Sequence, residues 1–373
     1  MKRMMIGILL GCGLFLSSCH SIYMSAEDRL QENYEAMDES VELETLDELY
    51  ALSYSNVSVI PYTVENIARG FTDLTEDEIQ KYKQCDEHNQ KTLVVPERKI
   101  DIQFSYGNID FYFYAVDRED AQKYLNVTQP EYHERVFSFA ELKERFPEKN
   151  LEELSREEAI QICDRAVSEA KISAVFENAF AMDCETLNKL QEEATRKFGE
   201  GFYVAPGSTD IQNEDGTTKW DIKQWTKDQE AYYVVYRMQA EGKTVDASGY
   251  NCRLEMFCRA DGQIIYAKGA YPTLDFSNAK SEKVKILSSK EIYSMAKDRL
   301  RQRQLENSEI VSVKLCYGKN VYIAVPDENV EETKTSVIPC WEVTYLTDVS
   351  GTKVKDYLYL DAITGLEVVT NVY

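Results

Sequence analysis

Twice in this chain a helix-opening signal is followed by several strand-like runs with no helix between them, and that order restricts the fold more than any other feature. Ser155 with Glu158, and Ser288 with Glu291, have the spacing of a capping box. In that arrangement a hydroxyl and a carboxylate three residues apart satisfy the open amide groups of a first helical turn. Behind the first box Ile162, Cys163, Ala166 and Ala170 share one helical face, and a second helix is expected around 185–198, stopped by Gly199. The stretches AYYVVYRMQ (231–239), NCRLEMFC (251–258) and QIIYAK (263–268) then read as strands, the last two joined by an Asp261-Gly262 turn. Behind the second box Ile292, Met295, Ala296 and Leu300 mark a helix. It is followed by EIVSVKLCY, VYIAV, SVIPCWEVTYL, TKVKDYLYLDA and GLEVVT. Helices placed ahead of blocks of strands predict an α+β fold with antiparallel sheets. The alternating βαβ units of a two-lobed solute-binding protein fit this order poorly.

Upstream, the clearest element is a hairpin. Ile100, Ile102, Phe104 and Tyr106 alternate, Gly107-Asn108 supplies a tight turn, and Ile109, Phe111, Phe113 and Ala115 alternate back. Short helices are expected over 75–84 and 119–125, and Ser138 with Glu141 opens another that stops at Pro147. The organisation expected is therefore an N-terminal α+β domain over 49–150, a first helix-plus-sheet unit with an insertion over 151–280, and a second unit over 281–373. Residues 19–48 form an acidic tether: from Ser25 to Glu48 there are ten acidic residues and one base, Arg29.

The N-terminus sets the location. Lys2 and Arg3 precede thirteen apolar or small residues, Met4 to Leu16, too few for a helix to cross a bilayer but suited to a secretory signal. Leu16-Ser17-Ser18-Cys19 resembles the lipobox of bacterial lipoproteins. The resemblance implies cleavage after residue 18, acyl chains on Cys19, and a protein anchored by lipid on the extracytoplasmic face of the cell membrane. Loss of Lys2 and Arg3 moves the net charge from −23 to −25. Such a surface repels phosphate backbones, which argues against nucleic acid as a partner. Seven cysteines remain after the signal and Cys19: Cys85, Cys163, Cys184, Cys252, Cys258, Cys316 and Cys340. An odd number is not a closed disulfide framework, and most are expected as small buried apolar residues.

Trp341, Val343, Asp361, Ala362, Thr364 and Gly365 carry a family resemblance. With the capped helix before them they resemble the closing hairpin of a PepSY domain, and FCRADGQIIYA with the Gly242 turn resembles extracytoplasmic repeats of the YycI type. The chain as a whole is similar to lipoproteins of Gram-positive bacteria that carry such repeats. The resemblance implies a non-catalytic fold that binds or restrains another cell-envelope protein, and it transfers no catalytic residue. The matching residues also have plain structural work: Gly365 gives a permissive turn, Asp361 can bond its own turn, and Trp341 fills a core.

Chemistry-bearing patterns are sparse. The sequence holds no HExxH, CxxC or G-x-S-x-G, and its three histidines, His20, His88 and His133, lack ligand spacing. No catalytic residue, metal site or cofactor is expected, and the acidic loops at 210–216 and 327–332 read as solvated turns. The stretch singled out is the insertion from Gly199 to Asp228, where Tyr203, Trp220 and Trp225 are candidates for a recognition surface. The competing assignment is that both tryptophans tuck into the sheet. The function expected is a non-catalytic binding or regulatory module for a cell-envelope protein or peptide. A carboxylate-dependent hydrolase of cell-wall or polysaccharide material is the first alternative, and a solute-binding lipoprotein the second.

Overall fold

The structure is a computed structural model. It describes residues 40–85, 91–105, 110–128, 145–198, 224–247, 250–251, 253–269, 273–320, 333–349 and 352–368. In chain order these form β1 (Glu42–Leu43), β2 (Tyr50–Ile60), α1 (Val64–Phe71), α2 (Glu76–Tyr82), β3 (Lys83–Cys85), β4 (Lys91–Val95), β5 (Ile100–Ser105), β6 (Asp110–Tyr114), α3 (Arg118–Thr128), α4 (Arg156–Glu169), β7 (Val175–Met182) and α5 (Cys184–Phe198). There follow β8 (Ala231–Arg237), β9 (Gln239–Ala240), β10 (Lys243–Ala247), β11 (Tyr250–Asn251), β12 (Arg253–Arg259), β13 (Ile264–Gly269), β14 (Thr273–Asp275), β15 (Lys280–Lys285), α6 (Ser289–Gln302), β16 (Glu309–Asn320), β17 (Thr333–Val349) and β18 (Thr352–Asp361). The fold is α+β. Two compact units divide the chain, one comprising the residues up to Ser53 with Ser281–Asn320 and Val337–Tyr373, the other Tyr54–Lys280 with Val321–Ser336. No helix among the described residues is long and apolar enough to cross a membrane.

The larger unit is built on one eight-stranded sheet in the order β3-β4-β5-β6-β13-β12-β8-β7. Every neighbouring pair runs antiparallel. The first four strands come from the block expected at 49–150 and the last four from the block at 151–280. The seam between them is the β6–β13 ladder, where Phe113 faces Ala267 and Phe111 faces Gly269. A line drawn at residue 150 therefore runs through the middle of a continuous sheet. The expected hairpin is β5–β6: Phe104 pairs with Phe111 and Ser105 with Asp110, a register symmetric about Gly107 and Asn108, which lie outside the described residues.

Alternation along the strands sorts side chains onto two faces. Leu93, Ile102, Phe113, Val234, Met256 and Ala267 point to one face, where α1 and α4 cover them with Ile67, Ala68, Cys163 and Ala166. Each buried Leu, Ile or Phe there contributes about 1.5–3 kcal/mol relative to exposure. The helices pack closely because their contact residues are small. A Cβ at Gly70 of α1 would lie 2.4 Å from the Ala166 carbonyl oxygen. On the other face Tyr233, Val235, Phe257 and Tyr266 meet Ala121 and Tyr124 of α3 and Leu187 of α5.

The smaller unit contains the second capped helix. Ser288 Oγ accepts from the Glu291 amide, the Glu291 carboxylate accepts from the Ser288 amide, and α6 follows. Ile292, Ala296 and Leu300 of α6 share a core with Val313, Trp341, Val343, Leu358 and Leu360. β16 lies beside β17, and β17 and β18 form a long antiparallel pair from Cys340↔Asp361 to Val349↔Thr352. The segment expected as tether joins this core from residue 40 on: β1 pairs in parallel with β16, and Val41, Leu43 and Leu46 pack inward. Asp361 Oδ1 accepts from the Ile363 and Thr364 amides, Gly365 takes a φ of +67°, and Trp341 is fully buried. The structural work assigned to those residues from sequence is what they do.

A cleft at the helix ends and a charged row across the sheet

The candidate site is a cleft of about 530 Å³ in the larger unit, where α1 and α4 end beside the β12–β13 turn. Phe71, Ile100, Ile162 and Ile264 supply apolar lining, and Asp73, Arg98, Arg165 and Glu169 supply charge. Each wall has a local reason. The first wall follows α1, which stops at Phe71 with Thr72 donating its hydroxyl to the Ala68 carbonyl, 2.6 Å away. The turn wall is made by Asp261, whose Oδ1 accepts from the Gln263 amide at 3.0 Å, and by Gly262 at a φ of +84°. A Cβ on Gly262 would press on Ile162 Cδ1 at 3.3 Å. Arg259 pairs with Asp261, and this pairing, with the Gln263 amide, outweighs burial to hold the Asp261 carboxyl below its usual range.

Charge on the first wall is internally compensated. Arg98 pairs with Asp73 and reaches Glu78 at 3.8 Å. Arg165 and Glu169 are exposed on α4, one helical turn apart. Both α1 and α4 also present their C-terminal ends here, the negative ends of their helix dipoles. The arrangement suits a ligand that inserts an apolar group between the walls and brings a positive charge to the helix ends.

Across the sheet, on its other face, lies a row of charged and phenolic side chains that the sequence reading passed over. Lys268 of β13 stands opposite Tyr112 of β6 and Glu255 of β12, and Arg253 stands opposite Arg237 of β8. Arg253 is 4% exposed and Glu255 3%. Desolvation lowers the Lys268 pKa, yet the neighbouring Glu255, Tyr112 and Asp110 outweigh it and raise the group above its ordinary value. Burial, with Glu255 next to it, pushes the Tyr233 phenol well up. The Glu255 Oε1 atom is buried without a hydrogen-bond partner. The signal for this row was present: Arg253, Glu255 and Phe257 alternate with Leu254, Met256 and Cys258. A strand with charges on one face reads as solvent-facing, whereas here that face is buried.

Of the residues singled out from sequence, Cys19, Tyr203 and Trp220 lie outside the described residues. Trp225 lies inside them and is 2% exposed. Its ring packs at 4.9 Å from that of Tyr124, and Asn188 holds its backbone from both sides, accepting from Trp225 N at 2.7 Å and donating to Trp225 O at 3.1 Å. Trp225 is thus a core residue between α3 and α5 and not an exposed contact, which corrects its place in the recognition surface. Among the described residues no three His, Cys, Asp or Glu side chains converge as a metal site.

No family model matches the chain, and no curated protein sequence does. Among solved structures the chain is similar to an uncharacterised protein from Eubacterium rectale, with a TM-score of 0.55 and 15% identity over 93% of this chain and 99% of that one. That likeness shows a shared fold. The C-terminal domain of YpeB from Bacillus megaterium aligns over 83% of this chain and 96% of its own at 10% identity and a TM-score of 0.23, too low to support any argument.

Proposed function

We propose that the chain is a non-catalytic binding or regulatory module, held at the extracytoplasmic face of the cell membrane by lipid on Cys19, that engages another cell-envelope protein or peptide. The anchor is supported by the basic, apolar and Leu-Ser-Ser-Cys succession of residues 2–19. The finer reading is that 151–280 and 281–373 are PepSY-like units. The capping boxes that open α4 and α6 and the glycine turns at Gly262 and Gly365 support it.

The observation that carries the binding reading is the cleft, with its apolar floor between two helix ends. An extended peptide would place one apolar side chain against Phe71, Ile162 and Ile264, and a neighbouring Lys or Arg beside Glu169 and the α4 carbonyls. The net charge of −25 after loss of Lys2 and Arg3 draws such a basic segment in from a distance. The test is photo-crosslinking of the anchored protein in intact cells, comparing the native chain with Ile162→Glu and with Lys297→Ala on α6 as a control. The expected outcome is a partner captured by native protein and control and lost from Ile162→Glu, with the circular dichroism of all three alike. Capture that survives Ile162→Glu would remove the cleft from the reading.

A further inference from the structure

Two of the charged groups that line the cleft are uncommitted. Arg165 and Glu169 both reach it from α4, and among the described residues neither makes a hydrogen bond or an ion pair. The other charged pair there is engaged, Arg98 with Asp73. Arg165 and Glu169 stand four residues apart on one side of the helix, close enough to pair, yet they do not. Their order is the reason: the stabilising arrangement puts the acid first and the base four residues later, and here the base comes first. The chain carries 65 acidic residues against 42 basic ones, so carboxylates are abundant, and Arg165 still meets none. Beside the two charges lies the apolar lining of Phe71, Ile162 and Ile264.

We propose that the cleft captures the C-terminal end of a peptide, with the terminal carboxylate on Arg165, an apolar last side chain against Ile162 and Ile264, and the basic side chain of the preceding residue on Glu169. This rests on the reading of the cleft as a peptide site and adds which part of the peptide enters it. The size agrees: about 530 Å³ lies within the roughly 300–1,000 Å³ of small-ligand sites, which is room for the last residues of a chain and not for a long segment. The charge agrees as well. Arg98 and Asp73 cancel, Arg165 and Glu169 cancel, and the two helix ends add partial negative charge. That surround repels a multiply charged anion such as phosphate, whereas a carboxylate with a cation close behind it is matched group for group. A guanidinium also takes a carboxylate in a forked pair of hydrogen bonds, which distinguishes a chain end from the neutral amides of a chain that continues. A free amino acid carries the same two charges, but both on one α-carbon. Arg165 and Glu169 leave the helix about 6 Å apart along its axis, a separation that the side chain of a preceding Lys or Arg spans.

The test measures, by fluorescence anisotropy, the binding of two probes to the folded full chain. Both are the peptide Gly-Gly-Lys-Leu labelled with fluorescein at its N-terminus, one with a free C-terminal carboxylate and one amidated. The free acid is expected to bind roughly tenfold or more tightly than the amide, as for loss of one charge-assisted pair. Arg165→Gln should bring the acid down to the level of the amide and leave the amide unchanged, and Arg165→Lys should restore part of the difference. Glu169→Gln should weaken both probes alike. Arg165 and Glu169 are exposed on α4, so these substitutions leave the core untouched. Equal affinity for acid and amide, a preference that survives Arg165→Gln, displacement of the acid by free leucine at the same concentration, or no binding of either probe would overturn the proposal. The reading of the cleft fails separately. Equal affinities that are both lost in Ile162→Glu leave a peptide site without capture of the terminus, whereas binding that survives Ile162→Glu removes the cleft itself.

Discussion

Trp225 and Trp341 are both buried indoles, and they differ in one respect that stability measurements can isolate. Trp341 Nε1 donates to the Leu287 carbonyl at 3.1 Å, whereas Trp225 Nε1 is buried without a hydrogen-bond partner. Truncation to Phe removes the N–H from each site and leaves a cavity of similar size. At Trp341 it also strands a carbonyl, which costs about 1 kcal/mol or more, while at Trp225 it relieves an unsatisfied donor. Trp341→Phe is therefore expected to destabilise its unit by roughly 1–2 kcal/mol more than Trp225→Phe destabilises its own, read from urea midpoints. Equal penalties would show that the hydrogen bond is not what separates the two sites. The sequence carried a clue to this difference only for Trp341, whose Pro-Cys-Trp-Glu-Val setting matched a structural pattern. For Trp225 the sequence left a recognition surface and burial against the sheet as competing assignments, and the packing of α3 and α5 over the sheet decided for burial.

At the scale of elements, capping was the most legible signal. Ser155 and Ser288 head their helices as the spacing requires, and Thr75 does the same for α2. The cap of α5 is different in kind. Asp183 Oδ1 accepts from the Thr186 amide at 3.0 Å, its Oδ2 accepts from the Thr186 hydroxyl at 2.9 Å, and Lys149 pairs with it at 3.1 Å. Burial alone would raise this carboxyl, but the Thr186 bonds and Lys149 outweigh it and lower the pKa below its ordinary 3.8. A depressed folded-state pKa means the stabilisation is present above about 3.8 and is lost as the pH falls through the lower folded value. Asp183→Ala is expected to cost about 1–2 kcal/mol at pH 7 and progressively less as the pH falls below that value. Unfolding midpoints at pH 7 and near pH 2.5 measure this, and an unchanged penalty would exclude the carboxylate as the cause. Strand β7 was not legible, because the register shift between Phe176 and Asn178 breaks the alternation that marks a strand.

For the whole molecule, the acidic run before residue 49 reaches into folded structure. From residue 40 it is part of the smaller unit: β1 pairs with β16, and Glu44 accepts from the Leu315 amide at 2.7 Å. Removing residues up to Glu48 deletes Val41, Leu43 and Leu46 from that core. It is expected to lower the stability of the smaller unit by several kcal/mol, about 1–2 for each apolar side chain, and to leave the larger unit unchanged. Calorimetry should show one transition shifting down while another stays in place, and a shift of both would contradict the division into units. What the sequence determined by itself was local: helix starts, the β5–β6 register, the turns at Gly262 and Gly365, and through their order the α+β class. These depend on contacts a few residues apart, which spacing and residue type report directly. The β6–β13 seam, the burial of Arg253 and Glu255 on β12 and the cleft at the helix ends were decided by tertiary structure alone. Each joins residues about 100 or more apart in sequence or depends on which face is covered, and hydrophobic period has no record of either.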